Sequence, residues 1–222
     1  MNSLSSYLDA VLEAYLTENL AAPSANEFDL NHLKQMTDLV QIKAYTARTL
    51  QSCCMVGEGT ARSVYRLPGG RVLKVAKNYN GLGQNEAEAT VCKSDQNSDI
   101  FPITFEVGSG FAWLIAEEAQ KMTRVKFAEL TGVPWGEFMF AIVGAFPKAV
   151  SDQTEGQKRQ YQQAFDKHYS NKLFRRVVNL IKECKYEPGD IAKLDSWGVI
   201  NNRAVIIDSG FTEAVNKTHY QR

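Results

Sequence analysis

Residues 53–77 read CCMVGEGTARSVYRLPGGRVLKVAK, and this stretch decides the fold. Apolar and β-branched runs alternate with glycine turns. The order is strand, glycine-containing turn, strand, Pro-Gly-Gly turn, strand. Gly57 and Gly59 fall in the first turn. Glycines there let backbone N–H groups come close to phosphate oxygens, because no Cβ intervenes. The loop is not of the Walker type, since no Gly-Lys-Ser/Thr follows. Lys74 sits mid-strand among Val72, Leu73, Val75 and Ala76. Such a lysine either reaches solvent from an edge strand or turns inward to meet an anion.

Moving outward, QNEAEATVCK (84–93) reads as a helix that presents Glu86 and Glu88 to an inward lysine. Glu88 has the better spacing, sharing a helical face with Val91 and Cys92, and Glu86 stays open. ITFEVGSGFAWLIAEEA (103–119) reads as two more strands around a Gly-Ser-Gly turn, ending on an acidic step. Backbone groups around Glu117 are placed to hydrogen-bond a flat heterocycle. Residues 53–119 are therefore expected to form an antiparallel sheet of about five strands with one inserted helix.

The flanks are helical. Leu4, Leu8, Val11, Leu12, Tyr15 and Leu16 repeat at helical spacing, AAPSAN (21–26) breaks the pattern, and a second amphipathic helix is expected over about 30–51. The pair reads as a packing hairpin or as a partner-binding arm. RVKFAEL, GEFMFAIVGAF and the segment 154–184 carry helical spacing, the last with a break near 169–171. Lys172, Arg175 and Arg176 form a basic face there, read as solvated surface. Two short strands, Trp197–Ile200 and Ala204–Ile207, follow Pro188.

Composition narrows the partners. Among 222 residues, 25 Lys and Arg balance 25 Asp and Glu, so no global field draws the chain to nucleic acid or anionic lipid. No apolar run approaches the roughly 20 residues that span a bilayer. The N-terminus lacks a basic flank and carries Asp9 and Glu13 in its apolar pattern, unlike a signal peptide. Cys53, Cys54, Cys92 and Cys184 make no CxxC and read as reduced thiols; His32, His168 and His219 show no zinc spacing. A cytoplasmic location without nucleic-acid or membrane partners is expected.

PGDIAKLDSWGVINNRAVIIDSGF (188–211) carries the remaining chemistry. Asp190 stands in a loop after a helix, Asp195 follows five residues later, and Asp208 closes a strand pair. Carboxylates so ordered suit one or two Mg²⁺ ions, which take a few carboxylate oxygens plus substrate phosphates. A further carboxylate can accept a proton from an attacking hydroxyl.

Taken together, Gly57, Gly59 and Val64, then Lys74, Glu88, the 113–119 strand, Asp190, Asp195 and Asp208-Ser209-Gly210 resemble the protein-kinase-like family in chain order. The resemblance covers residues 53–211. GLGQNEAE, PGDIAKLDSWGV and IIDSGFT also resemble strings in small kinase-like proteins encoded by bacteriophages, which implies a place in host cytoplasm or virion. It implies an α+β, two-lobed fold: an N-terminal helical extension (1–52), a sheet-rich lobe (53–119) and a reduced helical lobe (120–222). It implies ATP and Mg²⁺ as cofactors. Lys74, aimed by Glu88, would hold phosphates beneath Gly57, Gly59, Arg62 and Val64, with backbone groups around Glu117 hydrogen-bonding the nucleotide's heterocycle. Asp208 and Asp195 would hold the metal and Asp190 would be the catalytic base. Lys74 and Asp208 are then expected to face one crevice.

The departures from the family pattern matter. Arg62 replaces the third loop glycine, Pro188-Gly189 replaces the His-Arg pair, Asp195 replaces an asparagine and Ser209 a phenylalanine. Gly210 stands so near the end of this sequence that no activation segment of the family's kind is expected after it. The N-terminal helices are therefore expected to fold back over the helical lobe. The functions implied are phosphate transfer from ATP to a protein or small molecule, AMP transfer on the same fold, or a pseudokinase scaffold. An unrelated α+β fold would leave Asp190 and Asp208 as loop residues.

Overall fold

A computed structural model describes residues 28–50, 54–91, 99–146 and 153–208. The expected helix over 4–20, its break at 21–26, Cys53, Cys92, His219 and the Ser209-Gly210 pair lie outside them. The protein is α+β, with a small antiparallel sheet and several helices. It divides into two compact units, one drawn from residues 1–89 and 104–118, the other from 90–103 and 119–222. No helix of the described residues is long and apolar enough to cross a membrane.

The first unit is built on a five-stranded antiparallel sheet. Its strands are β1 (Met55–Glu58), β2 (Arg62–Leu67), β3 (Arg71–Ala76), β4 (Thr104–Val107) and β5 (Trp113–Glu117), in the order β1-β2-β3-β5-β4. Gly59 N donates to Arg62 O at 2.9 Å and closes the first turn. Gly69 and Gly70 turn β2 into β3 at φ 77° and 67°, where a Cβ would be strained. Lys74 lies opposite Val64 on β2 and Leu114 on β5. Side chains alternate across a strand, so Arg62, Val64, Lys74 and Leu114 share one face, and Tyr65, Leu73 and Ile115 the other.

That second face explains the N-terminal helices. The single helix expected over 30–51 is two: α1 (Leu30–Gln35) and α2 (Leu39–Thr49). Asp38 divides them, its carboxylate capping α2 by accepting from Gln41 N at 2.8 Å. Leu33, Ile42 and Tyr45 pack with Tyr65, Leu73, Val75, Trp113 and Ile115 in one buried cluster. Fully buried leucine and isoleucine side chains contribute about 1.5–3 kcal/mol each. Tyr45 OH ties the pair by donating to Asp29 O at 3.1 Å. From residue 30 on, the expectation that the N-terminal helices cover the helical lobe is corrected: α1 and α2 pack on the sheet face around Leu73, while the stretch 4–20 lies outside the described residues. Their stripes announced a buried face, and the sheet face around Leu73 supplied the complement.

Helix α3 (Tyr79–Val91) joins β3 to the strands that follow. It approaches the sheet closely at Gly81, where a Cβ would stand 2.2 Å from Ala61 O and 2.9 Å from Ala76 Cα.

The second unit carries α4 (Arg124–Thr131), α5 (Trp135–Ala145), α6 (Glu155–His168), α7 (Lys172–Cys184) and the one-turn α8 (Pro188–Ile191). It also carries a small sheet, β6 (Gln120–Lys121), β7 (Trp197–Ile200) and β8 (Arg203–Ile206). Strand β8 starts one residue before the stretch read from sequence, because Asn201 and Asn202 alone make the turn, at φ 47° and 58°. The break expected near 169–171 is where Asn171 caps α7 by accepting from Phe174 N. Phe127 and Phe138 form the centre of the core, edge-on to Trp197 at 5.3 and 5.6 Å. On the basic face of α7, Lys172 and Arg175 are exposed and Arg176 pairs with Asp99 at 2.6 Å. Cys184 is a free thiol, and burial raises its pKa above the ordinary value.

Candidate functional site

In the first unit, β3 delivers Lys74 to the sheet face beneath α3. Lys74 Nζ donates to Glu88 Oε1 at 2.5 Å. Arg62, read from sequence as lining the phosphates, turns its guanidinium onto the same carboxylate, with Nη1 2.7 Å from Oε2. The Arg62, Glu88 and Lys74 side chains are 9%, 2% and 8% exposed. Burial, the largest single influence, pushes the Glu88 carboxyl up. The attraction and hydrogen bonds of Lys74 and Arg62 together outweigh it and hold Glu88 below the usual carboxylate range. The choice between Glu86 and Glu88 is thereby resolved: Glu88 pairs with Lys74, and Glu86 is exposed.

Around this trio the surface is apolar. Val72, Leu114 and Ala116 are buried together, with Val64 and Val107 against them. Gly57 lies in β1, and Gly59 opens the turn into β2. A Cβ on either would come no closer than 3.8 Å to its neighbours, and neither has positive φ. The fold itself therefore does not require glycine at these positions. Glu117 ends β5, opposite Arg71.

In the second unit, the β7–β8 hairpin organises the carboxylates. Trp197 lies opposite Ile206, and Ile207 N donates to Ser196 O at 2.8 Å. Asp195 and Asp208 therefore flank adjacent chain segments, both exposed. Asp190 lies in α8, where its Oδ1 accepts from Lys193 Nζ at 2.5 Å. That hydrogen bond, then the charge of Asp190 and that of Asp208, hold the Lys193 ammonium above its ordinary value. Among the described residues no three His, Cys, Asp or Glu side chains group closely enough to hold a metal by themselves. Asp195 and Asp208 offer oxygen donors only, the kind a hard cation takes when phosphates and water complete its shell.

The sequence-derived residues thus fall in two groups. Gly57, Gly59, Arg62, Val64, Lys74, Glu88 and Glu117 belong to the sheet unit, with Asp190, Asp195 and Asp208 in the helical one. Two residues were missed. Lys193 stands three residues after Asp190, one helical turn on, a spacing visible in DIAKLD. Asn85 is fully buried, with Nδ2 donating to Phe111 O at 2.8 Å and Oδ1 facing Arg62 at 3.4 Å. Nothing in the sequence around Asn85 marked it. No protein family and no curated protein matches the chain.

Proposed function

We propose that the chain is a kinase-like phosphotransferase that uses ATP and Mg²⁺, with a protein or small molecule as acceptor. The observation that carries this reading is the buried Lys74–Glu88 pair, formed from mid-strand and mid-helix positions. A buried lysine aimed by a carboxylate suits the α- and β-phosphates of a nucleotide. Gly57 and Gly59, which neither packing nor backbone requires to be glycine, add support, because close approach of a phosphate does require it. In this reading the sheet unit is the smaller lobe of a kinase-like fold and the helical unit a reduced larger lobe. The resemblance of its sequence strings to phage-encoded members supports a place of work in host cytoplasm or virion.

The roles follow from charge and donor type. Lys74 binds phosphate and Glu88 orients it. Asp195 and Asp208 would hold Mg²⁺, which supplies charge neutralisation on the phosphates. Asp190 takes the proton from the acceptor hydroxyl. Catalysis then rests on positioning and electrostatic stabilisation rather than covalent chemistry.

The test is thermal unfolding with and without MgATP, on wild type, Lys74→Met and Asp208→Ala. A ligand at 100 times its Kd adds about 2.7 kcal/mol of stability. No shift in wild type overturns the reading. A shift lost in both variants, with ³²P transfer abolished in Asp190→Ala, supports it. A shift without transfer in wild type identifies a nucleotide-binding scaffold instead.

A further inference from the structure

We propose that Arg62 is a positioning residue for this site: it holds one oxygen of Glu88 so that the other stays on Lys74. The inference rests on Lys74 being the phosphate-holding cation. Glu88 divides its carboxylate, Oε1 to Lys74 at 2.5 Å and Oε2 to Arg62 at 2.7 Å. Arg62 lies opposite Ala76 in the β2–β3 register and Lys74 opposite Val64, so both cations rise from one sheet face, on neighbouring strands. Asn85, one turn before Glu88 on α3 and on the same helical face, accepts from Arg62 Nη1 at 3.4 Å and donates to Phe111 O at 2.8 Å.

The physical reason is the balance at Glu88. Burial acts against its charge, and the ionisable groups that counter it are Lys74 on β3 and Arg62 on β2. With one cation removed, a buried carboxylate takes up a proton more readily. A protonated Glu88 no longer draws the ammonium of Lys74 into place. Arginine suits the second position because its guanidinium never loses its charge and presents donors in a fixed fork. The residue that departs from the family's loop glycine thus acts through Glu88. The Lys74–Glu88 pair is built into the resting fold.

The full-length chain tests this by calorimetric titration with MgATP between about pH 5 and 8, spanning the range where a carboxyl freed of one cation titrates. The proteins are wild type, Arg62→Met, Arg62→Lys and, as an exposed-charge control on α6, Lys158→Met. At neutral pH, Arg62→Met should bind MgATP about tenfold more weakly, the usual scale for losing a charged hydrogen bond. Its affinity should fall further as pH drops, where wild type and Lys158→Met stay level, and Arg62→Lys should recover most of the loss. An unchanged affinity and pH profile in Arg62→Met overturns the proposal, and so does a weakening with no added pH dependence. If Arg62→Met does not fold, Arg62→Lys decides: its profile must move partway, and an unchanged one overturns the proposal. If wild type does not bind MgATP, the functional reading fails. The Glu88 carboxyl, titrated by ¹³C NMR in wild type and Arg62→Lys, then tests the hold on Glu88 alone: it must titrate higher in the variant, and equal titration overturns the proposal.

Discussion

Lys74 Nζ and Glu88 Oε1, fourteen residues apart in the chain, meet at 2.5 Å in the interior of the sheet unit. A buried ion pair adds little stability compared with apolar residues of the same volume, while removing one partner is costly. On the proposed function the pair serves to place a charge rather than to add folding stability.

Glu88→Gln should destabilise the protein by about 3–5 kcal/mol at neutral pH, because two buried cations lose their carboxylate. The pH dependence has a definite sign. The folded Glu88 lies below the ordinary value of 4.5, so its contribution is complete above that value and is lost as pH falls through the folded one. Wild type should lose this stability below pH 4.5, and the variant should lack that step. Urea melts across the acid range measure both; parallel curves for the two proteins count against the argument.

Two helical glycines should respond in opposite directions to alanine. At Gly81 the new Cβ would stand 2.2 Å from Ala61 O and 3.0 Å from Ala76 Cβ, so α3 must shift. Gly81→Ala should cost about 1–3 kcal/mol despite alanine's better helix propensity. The same shift should loosen the Lys74–Glu88 contact, because α3 carries Glu88. Nothing lies within 4 Å of a Cβ at Gly136 in α5, and Gly136→Ala should gain about 0.5 kcal/mol. Denaturant midpoints decide this, and a gain at Gly81 would contradict the close approach.

Much of the sheet unit was legible because its signals are local. The Pro68-Gly69-Gly70 turn fixed the β2–β3 hairpin, and with it the register that puts Lys74 opposite Val64. The same parity places Arg62 on the face of Lys74, yet a single sequence offered the arginine only as a substituted loop glycine. The packing partner of α1 and α2 was not legible: Leu33 and Ile42 mark an apolar stripe without naming the surface it meets. Lys193 escaped notice because a lysine near an aspartate is ordinary on any surface. Only the fold brought the charge of Asp208, fifteen residues further on, to bear on it.

The Asn201–Asn202 turn sets the spacing between Asp195 and Asp208. Both residues hold positive φ, 47° and 58°, which asparagine tolerates and glycine prefers. Asn202→Gly should leave stability unchanged or raise it by a few tenths of a kcal/mol, whereas Asn202→Val should cost about 1–3 kcal/mol as a β-branched residue in left-handed backbone. If the hairpin also positions the metal ligands, Asn202→Val should weaken the thermal shift with MgATP. An equal loss of shift in both variants would detach that effect from turn geometry.

Lys193 provides the sharpest separation of fold from function. Its ammonium is mostly exposed, and its pair with Asp190 is an i,i+3 contact. Exposed pairs are worth about 0–1 kcal/mol, so Lys193→Gln should leave the unfolding midpoint nearly unchanged near neutral pH. The Lys193 ammonium is held above its ordinary value of 10.5, so its small contribution is present below that pH and lost only as the pH rises past it. If the proposed phosphate transfer holds, that transfer should respond differently. Lys193 is the cation that Asp190 and Asp208 both act on, and Asp195 adds a charge where the kinase-like pattern has a neutral asparagine. On the proposed function, removing Lys193 would leave Asp190 and Asp208 with less positive charge to offset them when a polyphosphate binds. Transfer from MgATP should fall at least about tenfold, with most of the loss in nucleotide affinity. The double variant Lys193→Gln with Asp195→Asn should recover part of it, because one negative charge leaves with the positive one. Steady-state transfer assays on the two single variants and the double one measure this directly. Strictly additive losses would mean that Lys193 does not offset the charge of Asp195.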